Sequence, residues 1–420
     1  MTNPGLPDLV RSPTSPGRRA QRTVAGVPLR LLLVLGALSA FGPISMDLYL
    51  PALPRLADAL GTSASASQLT MTSCMVGLAL GQLVTGPVTD AYGRRTPVLV
   101  GLAVFAAASL LCALSTDILV LVALRFIQGA AGGAAIVIAR AAVRDRYDTE
   151  AAAQVFSLLV VVTAVAPVVA PIVGGQLLRW TTWPGLFNAL AVIGVLLLAL
   201  TARSLPESLP VGARTSGGRT ALRSHAAILL RDGDFLGFTA VLALGCGILF
   251  AYIIMSPFVL QGAYELDAQT FAVVFAVNSA GLLAVGRWGA ILVARRGAAA
   301  TLRRGLVIGG VGSAALLVAV ASGAGLVVLL PILFLTVSSV SLVMPTATAL
   351  GLAHHGDRAG TAGGVMGLAQ FGLSGAIVPL VSINGTNPVL MALTMTGSGT
   401  LALLVGTLLL ARRRRTEKSR

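Results

Sequence analysis

Apolar residues in this chain do not alternate with polar ones. They run together in windows of about 20 residues, each long enough to cross a bilayer as a helix. The windows recur roughly every 30 to 40 residues between short polar loops, a spacing unlike that of barrel strands, which are about half as long and alternate. Twelve spans are predicted, over 28–52, 68–91, 96–115, 118–142, 153–178, 184–204, 236–260, 269–294, 302–323, 325–352, 360–383 and 387–411. The fold class is an all-α membrane protein of twelve transmembrane helices. The longest polar interruption, 205–235, contains Gly217-Gly218 and lies between the sixth and seventh spans. It parts an N-terminal six-helix bundle, 28–204, from a C-terminal one, 236–411, with a tail at each end, 1–27 and 412–420. Residues 1–27 are rich in Pro, Ser, Thr and Arg and read as a disordered cytoplasmic tail. The run after them is too long, and carries an acid too deep, for a cleaved secretory signal.

Composition sharpens this picture. At 56% hydrophobic and 11% charged over 420 residues, the chain exceeds what a soluble core can use. Its net charge of +15 would suit nucleic acid if clustered, but the arginines are spread over short loops and tails, which is a topology signal. Counted from an inside start, the outside loops hold chiefly Arg55 and Arg179. The inside receives Arg94, Arg95, Arg144, Arg146, the linker arginines Arg214, Arg219, Arg223 and Arg231, then Arg295, Arg296, Arg303, Arg304, Arg358 and Arg412 to Arg415. Both termini are therefore expected in the cytoplasm of an inner-membrane protein. The three cysteines, Cys74, Cys112 and Cys246, fall in separate spans without paired spacing and read as core residues. No His, Asp or Glu spacing suggests a metal, and no cluster at a membrane interface or activated nucleophile suggests an enzyme. Without a nucleotide motif or cofactor signature, an ion gradient is the expected energy source.

Asp47 is the one acid placed at depth within a predicted span, between Pro43 and Pro51. A carboxylate at hydrocarbon depth costs about 3 kcal/mol on insertion scales, so it is kept for a task or for a bond to a neighbouring helix. Burial favours the neutral form of an acid and a nearby cation the ionised form, so such a group is suited to be a proton switch. The flanking prolines remove backbone donors and loosen the helix around it. Asp47 lies about six residues from the outer end of the first span and Arg125 about seven from the outer start of the fourth. At 1.5 Å per residue both fall roughly 10 Å below the outer surface, so they are expected to pair across the N-terminal half. The alternative for Arg125 is a structural bond to a backbone carbonyl. Gln128, one turn inward, reads either as cavity lining or as a helix–helix hydrogen bond. Tyr49, Tyr252, Phe258 and Gln370 are candidates for ligand contact or for packing, and Arg287 reads as a snorkelling residue.

Between the second and third spans stands Gly86-Pro-Val-Thr-Asp90-Ala-Tyr-Gly93-Arg94-Arg95. Gly86 suits close helix approach, Gly93 a tight turn, and Asp90 can answer Arg94, Arg95 or a helix N-terminus, which makes a cytoplasmic gate. The stretch is echoed by Gly286 to Arg296 at almost the same spacing but without the acid, and Met46-Asp47 by Met255-Ser256. Paired halves with a site between them are the plan of many secondary transporters.

The Gly86–Arg95 stretch resembles the signature loop of the major facilitator superfamily, with Ala91 in place of the usual first arginine. Leu124-Arg125-Phe-Ile-Gln128-Gly-Ala130 resembles the superfamily motif whose membrane arginine is linked to proton transfer. Pro167 with Ala170-Pro171-Ile-Val-Gly174-Gly175 resembles the motif associated with antiporters. Met46 to Pro54, Ser256-Pro-Phe-Val-Leu-Gln261 and Pro345-Thr-Ala-Thr-Ala-Leu350 resemble the bicyclomycin-resistance (Bcr/CflA) efflux family, with Thr346 where that family typically has Asn. The resemblance spans about residues 30 to 400. It implies two pseudo-symmetric six-helix bundles and a monomeric drug:proton antiporter. Such a protein exports small amphipathic compounds, with Asp47 taking and releasing the proton as the halves rock. A proton-coupled importer or facilitator on the same fold is the alternative. A lipid-acting enzyme and a sensor on a transporter fold are further classes, and neither finds a feature to support it.

Overall fold

The structure is a computed structural model that describes residues 23–24, 27–147, 149–210, 212, 214, 227–353, 355, 359–383 and 385–418. Of the expected tail 1–27, only Thr23–Val24 and Val27 are described, and Thr23–Val24 pairs antiparallel with Val27–Pro28. The remaining tail residues and, within the linker 205–235, residues 211, 213 and 215–226 lie outside the described residues, Arg219 and Arg223 among them, as does Arg358.

Among the described residues twelve helices are long and apolar enough to cross a membrane. They are α1 (Leu29–Asp47), α2 (Ala64–Tyr92), α3 (Arg95–Leu114), α4 (Ile118–Arg146), α5 (Thr149–Leu177) and α6 (Trp183–Ser204) in the first half. The second half holds α7 (Gly233–Phe258), α8 (Ala268–Arg296), α9 (Ala298–Ala321), α10 (Leu326–Leu352), α11 (Ala359–Val381) and α12 (Pro388–Lys418). Where polar residues punctuate the sequence they act as caps: Ser63 accepts from the Ala66 amide, Asp117 from Leu119 and Val120, and Asp267 from Thr270. The last helix outruns its expected end at 411 and carries Arg412–Arg415 within it. Arginine propagates a helix well, and cations are favourable against its C-terminal dipole.

The pairing of helices repeats between the halves. In the first, α2 packs on α4, α3 on α6 and α1 on α5; in the second, α8 packs on α10, α9 on α12 and α7 on α11. Between halves, α2 meets α11 and α5 meets α8. The first and seventh spans are the most enclosed, while Leu119, Trp180, Leu196, Val318 and Val327 are exposed, an apolar outer surface for lipid rather than water. Packing between α2 and α4 is close, and a Cβ on Gly129 or Gly133 would fall on the carbonyl of Cys74 or Leu78. The small-residue run at 129–133 thus lets two backbones meet. At Gly86, by contrast, a Cβ would meet nothing within 4 Å, so the close approach expected there is absent.

Loops after α2, α4, α6, α8 and α10 share one face with the arginines, here called the basic face. Three kinds of contact join the halves at the opposite face. Ser65 Oγ donates to the Pro379 carbonyl (2.7 Å), Gln68 Nε2 to Thr386 Oγ1 (2.9 Å) and Gln269 Nε2 to the Gly175 carbonyl (3.0 Å).

Candidate functional site

Of the two prolines around Asp47, Pro43 lies inside α1 and Pro51 falls in the break that follows it. Helix α1 ends at Asp47, a 3₁₀ turn covers Leu50–Ala52, and a short helix, Leu53–Ala59, completes the crossing. Asp47 is buried, at 6% exposure. The break is held from the side by α5, because a Cβ on Gly174 would collide with the Leu48 carbonyl. The adjacent Gly175 faces the other half, where a Cβ would stand 3.2 Å from the Ala268 carbonyl and 3.1 Å from the Ala272 Cβ. The Gly174-Gly175 pair therefore touches the end of α1 with one residue and the second half with the next. Pro167 and Pro171 lie inside α5 without ending it.

Arg125 is fully buried, but its partner is not Asp47. Among the described residues Arg125 forms no ion pair. Its Nη1 donates to the Ser45 carbonyl (3.3 Å) and to Gln128 Oε1, and its Nη2 points at Met71 Sδ (4.0 Å). The guanidinium lies over the Tyr49 ring, 4.3 Å from its centre, and 5.6 Å from that of Phe187, contacts that suit a planar cation. Gln128 in turn donates to Ser109 Oγ on α3 (2.6 Å), and the Tyr49 hydroxyl meets Thr70 Oγ1 on α2 (2.9 Å). The physical reason for the missing pair is rotational. Ser45 and Tyr49 are one turn apart and present one side of the chain to α4, while Asp47 falls half a turn away. Depth alone placed the two charges level, and direction parts them.

Tyr49 and Gln128 are correspondingly fully buried supports of Arg125 and line no open cavity. Tyr252 is also closed off: it is buried and stacks on Phe275 (5.3 Å). Among the described residues Ser256 Oγ and Ser338 Oγ have no hydrogen-bond partner. Phe258 and Gln370 are half-buried. Arg287 is exposed.

At the basic face the α2–α3 turn is clamped by groups from three elements. Arg94 donates through Nη1 to Asp90 (2.6 Å) and Thr89 (2.7 Å) and through Nε to Asp145 at the end of α4 (3.0 Å). The backbone amides of Arg94 and Arg95 both donate to the Glu207 carboxylate, at 2.8 and 3.2 Å. Arg95 itself donates to the Ala202 carbonyl (2.9 Å), so Asp90 answers only the first of the two arginines. Gly93 turns the chain at φ +89°, where a side chain would also strike Glu207 and Arg214. Glu207 and Asp145 were not among the expected gate residues. Their signal in the sequence is slight: Asp145 is the acid between Arg144 and Arg146, and Glu207 the first acid after α6. Partial burial opposes ionisation of Glu207, but the amides of Arg94, Leu209, Arg95 and Ser208 hold its carboxyl below the usual glutamate range. No group of three or more His, Cys, Asp or Glu able to hold a metal is found among the described residues.

A profile described as the Major Facilitator Superfamily matches residues 33–379. The chain belongs to the Major Facilitator Superfamily. It is 38% identical over 369 residues to an uncharacterized MFS-type transporter of Bacillus subtilis, YdgK, covering 87% of this chain and 92% of that one. A bicyclomycin resistance protein homolog of Haemophilus influenzae is 31% identical over 247 residues, 59% of this chain and 62% of that one. The multidrug resistance protein MdtL of Klebsiella pneumoniae is 33% identical over 258 residues, 61% and 64% of the two chains. Among solved structures the nucleoside transporter NupG superposes with a TM-score of 0.75 at 14% identity, over 90% of this chain and 99% of that one. This major facilitator chain is thus a multi-pass membrane transporter of small molecules and no enzyme. Its two superfamily stretches in the first half, the Gly86–Arg95 loop and the Arg125 helix, are the ones that fold into the clamp and the buried guanidinium network.

Proposed function

We propose that the protein is a proton-coupled exporter of small amphipathic compounds, a drug:proton antiporter of the cytoplasmic membrane. The single observation that carries this reading is Asp47: a carboxyl buried without an ion pair among the described residues at the break of α1, beside the Gly174-Gly175 contact with the other half. An acid so placed can change protonation only when a rearrangement of the halves gives it access to water. Arg125 raises the local positive potential and fixes the Ser45–Tyr49 segment, and is a positioning residue. The relatives named for bicyclomycin and multidrug resistance support export over uptake.

With the basic face in the cytoplasm, as the arginine distribution supports, the face joined by Ser65, Gln68 and Gln269 is the outer one. The outer face is then closed in the arrangement described, and a movement that opens the basic face loads substrate from within. Opening of the outer contacts releases substrate and exposes Asp47 to a proton, and the reverse movement returns that proton inside. Protonated and substrate-bound forms must favour different arrangements, since a ligand shifts an equilibrium only through differential affinity. One proton crossing 100 mV supplies ~2.3 kcal/mol, enough for roughly a fifty-fold gradient of a neutral compound.

The test uses everted membrane vesicles energised to an acid interior, with a pH dye and a panel of amphipathic drugs. Proton efflux on adding a compound to wild type, absent in Asp47→Asn, is expected. Drug movement by wild type without proton flux would overturn the coupling, and proton-driven movement in the opposite sense would make the chain an importer.

A further inference from the structure

The α8–α9 turn repeats the α2–α3 clamp with its acid removed. Ala290 stands four residues after Gly286, as Asp90 stands four after Gly86. In the first half Arg94 is answered by Asp90 and Asp145. In the second, Arg295 and Arg296 close α8 and Arg303 and Arg304 open α9, and no carboxylate among the described residues pairs with any of them. The acids described on this side of that half are engaged elsewhere, Asp232 with His355 at 2.9 Å and Asp234 with Arg413 at 3.0 Å. Arg304 Nη1 is buried without a hydrogen-bond partner among the described residues, a costly state for a cation's donor.

A cleft of about 310 Å³ lies beside these arginines, lined by Gly286, Ala290, Val293, Thr301, Leu342 and Pro345. Arg304 follows Thr301 by three residues and so sits on the same side of α9. The start of α9 at Gly297 has no side-chain cap, which adds its own partial positive charge. An apolar slot whose walls at Val293 and Ala298 are joined by the turn bearing Arg295 and Arg296, with Arg303 and Arg304 following Thr301, matches one class of molecule in both its parts.

We infer that this cleft binds an anionic phospholipid, with a segment of acyl chain in the slot and the phosphate group answered by the α8–α9 arginines. The lipid supplies the counter-charge that Asp90 and Asp145 supply in the first half, and the second clamp depends on the membrane where the first is self-sufficient. This goes beyond the transport reading and does not rest on it.

The test is native mass spectrometry of the full chain in detergent, titrated with phosphatidylglycerol or phosphatidylcholine, alone and with excess inorganic phosphate. Preferential retention of phosphatidylglycerol is expected, with roughly thirtyfold weaker binding in Arg296→Gln/Arg304→Gln for the two charges lost, and no change in Arg55→Gln on the opposite face. Equal binding of the two lipids overturns the inference, and so does an unchanged affinity in the double variant. Complete displacement by inorganic phosphate would mean that the slot contributes nothing, which also overturns it. A photoactivatable phosphatidylglycerol applied to wild type gives a readout that no folding defect can mimic: label in 286–301 and 341–349 supports the site, and label confined to other helices refutes it.

Discussion

Arg125 places its guanidinium 4.3 Å from the centre of the Tyr49 ring and donates to the Ser45 carbonyl, while Asp47, between those two residues in sequence, turns away. A buried cation is thus held by a ring, two neutral oxygens and a sulfur. This stabilises the first half without neutralising its charge, and leaves the one acid of the span available for another task.

The ring matters more than its hydroxyl. Tyr49→Phe keeps the face under Arg125 and loses the contact with Thr70, so a cost of about 1 kcal/mol is expected. Tyr49→Ala also opens a cavity and bares the guanidinium, for a cost of ~3–5 kcal/mol. Thermal melts in detergent measure both, and equal losses would show that the ring is not the support.

Gly174 and Gly86 are predicted to behave oppositely. Gly174→Ala drives a methyl into the Leu48 carbonyl next to Asp47, which should destabilise by ~1–3 kcal/mol and depress transport. Gly86→Ala enters open space in a helix and should be neutral or stabilising by up to about 1 kcal/mol. Melting temperatures of the two variants, side by side, check the contrast.

Closure of the face opposite to the basic loops can be trapped. Cysteines at Gln68 and Thr386, whose side chains meet at 2.9 Å, should react together with a short reducible thiol cross-linker and stop transport, with activity restored on reduction. Cys74, Cys112 and Cys246 are buried and should stay unmodified. Transport that continues through a complete cross-link would show that this face need not open.

The clamp at the basic face carries a pH dependence of known sign. Since the folded Glu207 carboxyl titrates below its ordinary value, its contribution is fully present above the unfolded glutamate range near 4.3 and is lost as pH falls through the lower folded value. The difference in melting temperature between wild type and Glu207→Gln should therefore be constant from about pH 6 to 8 and shrink below about pH 4. A difference that grows on acidification would contradict the amide contacts.

The sequence by itself determined the twelve helices, their near ends and the two-half plan. Each membrane helix must satisfy its own backbone hydrogen bonds in a medium without water, so a run of apolar residues leaves the chain no other structure. It also marked Asp47, Arg125 and Arg94 as charges needing a reason, since depth along a helix is fixed by counting residues. Only the tertiary structure decided what those charges meet. Whether Asp47 and Arg125 touch depends on rotation about two helix axes, and a half-turn set by the packing of Ser45 and Tyr49 separates them. The Glu207 and Asp145 contacts join residues 113 and 51 positions from Arg94, and they form because the α2–α3 turn, the end of α4 and the exit of α6 come to the same face. That meeting is a product of how helices pack, and no local pattern of residues encodes it.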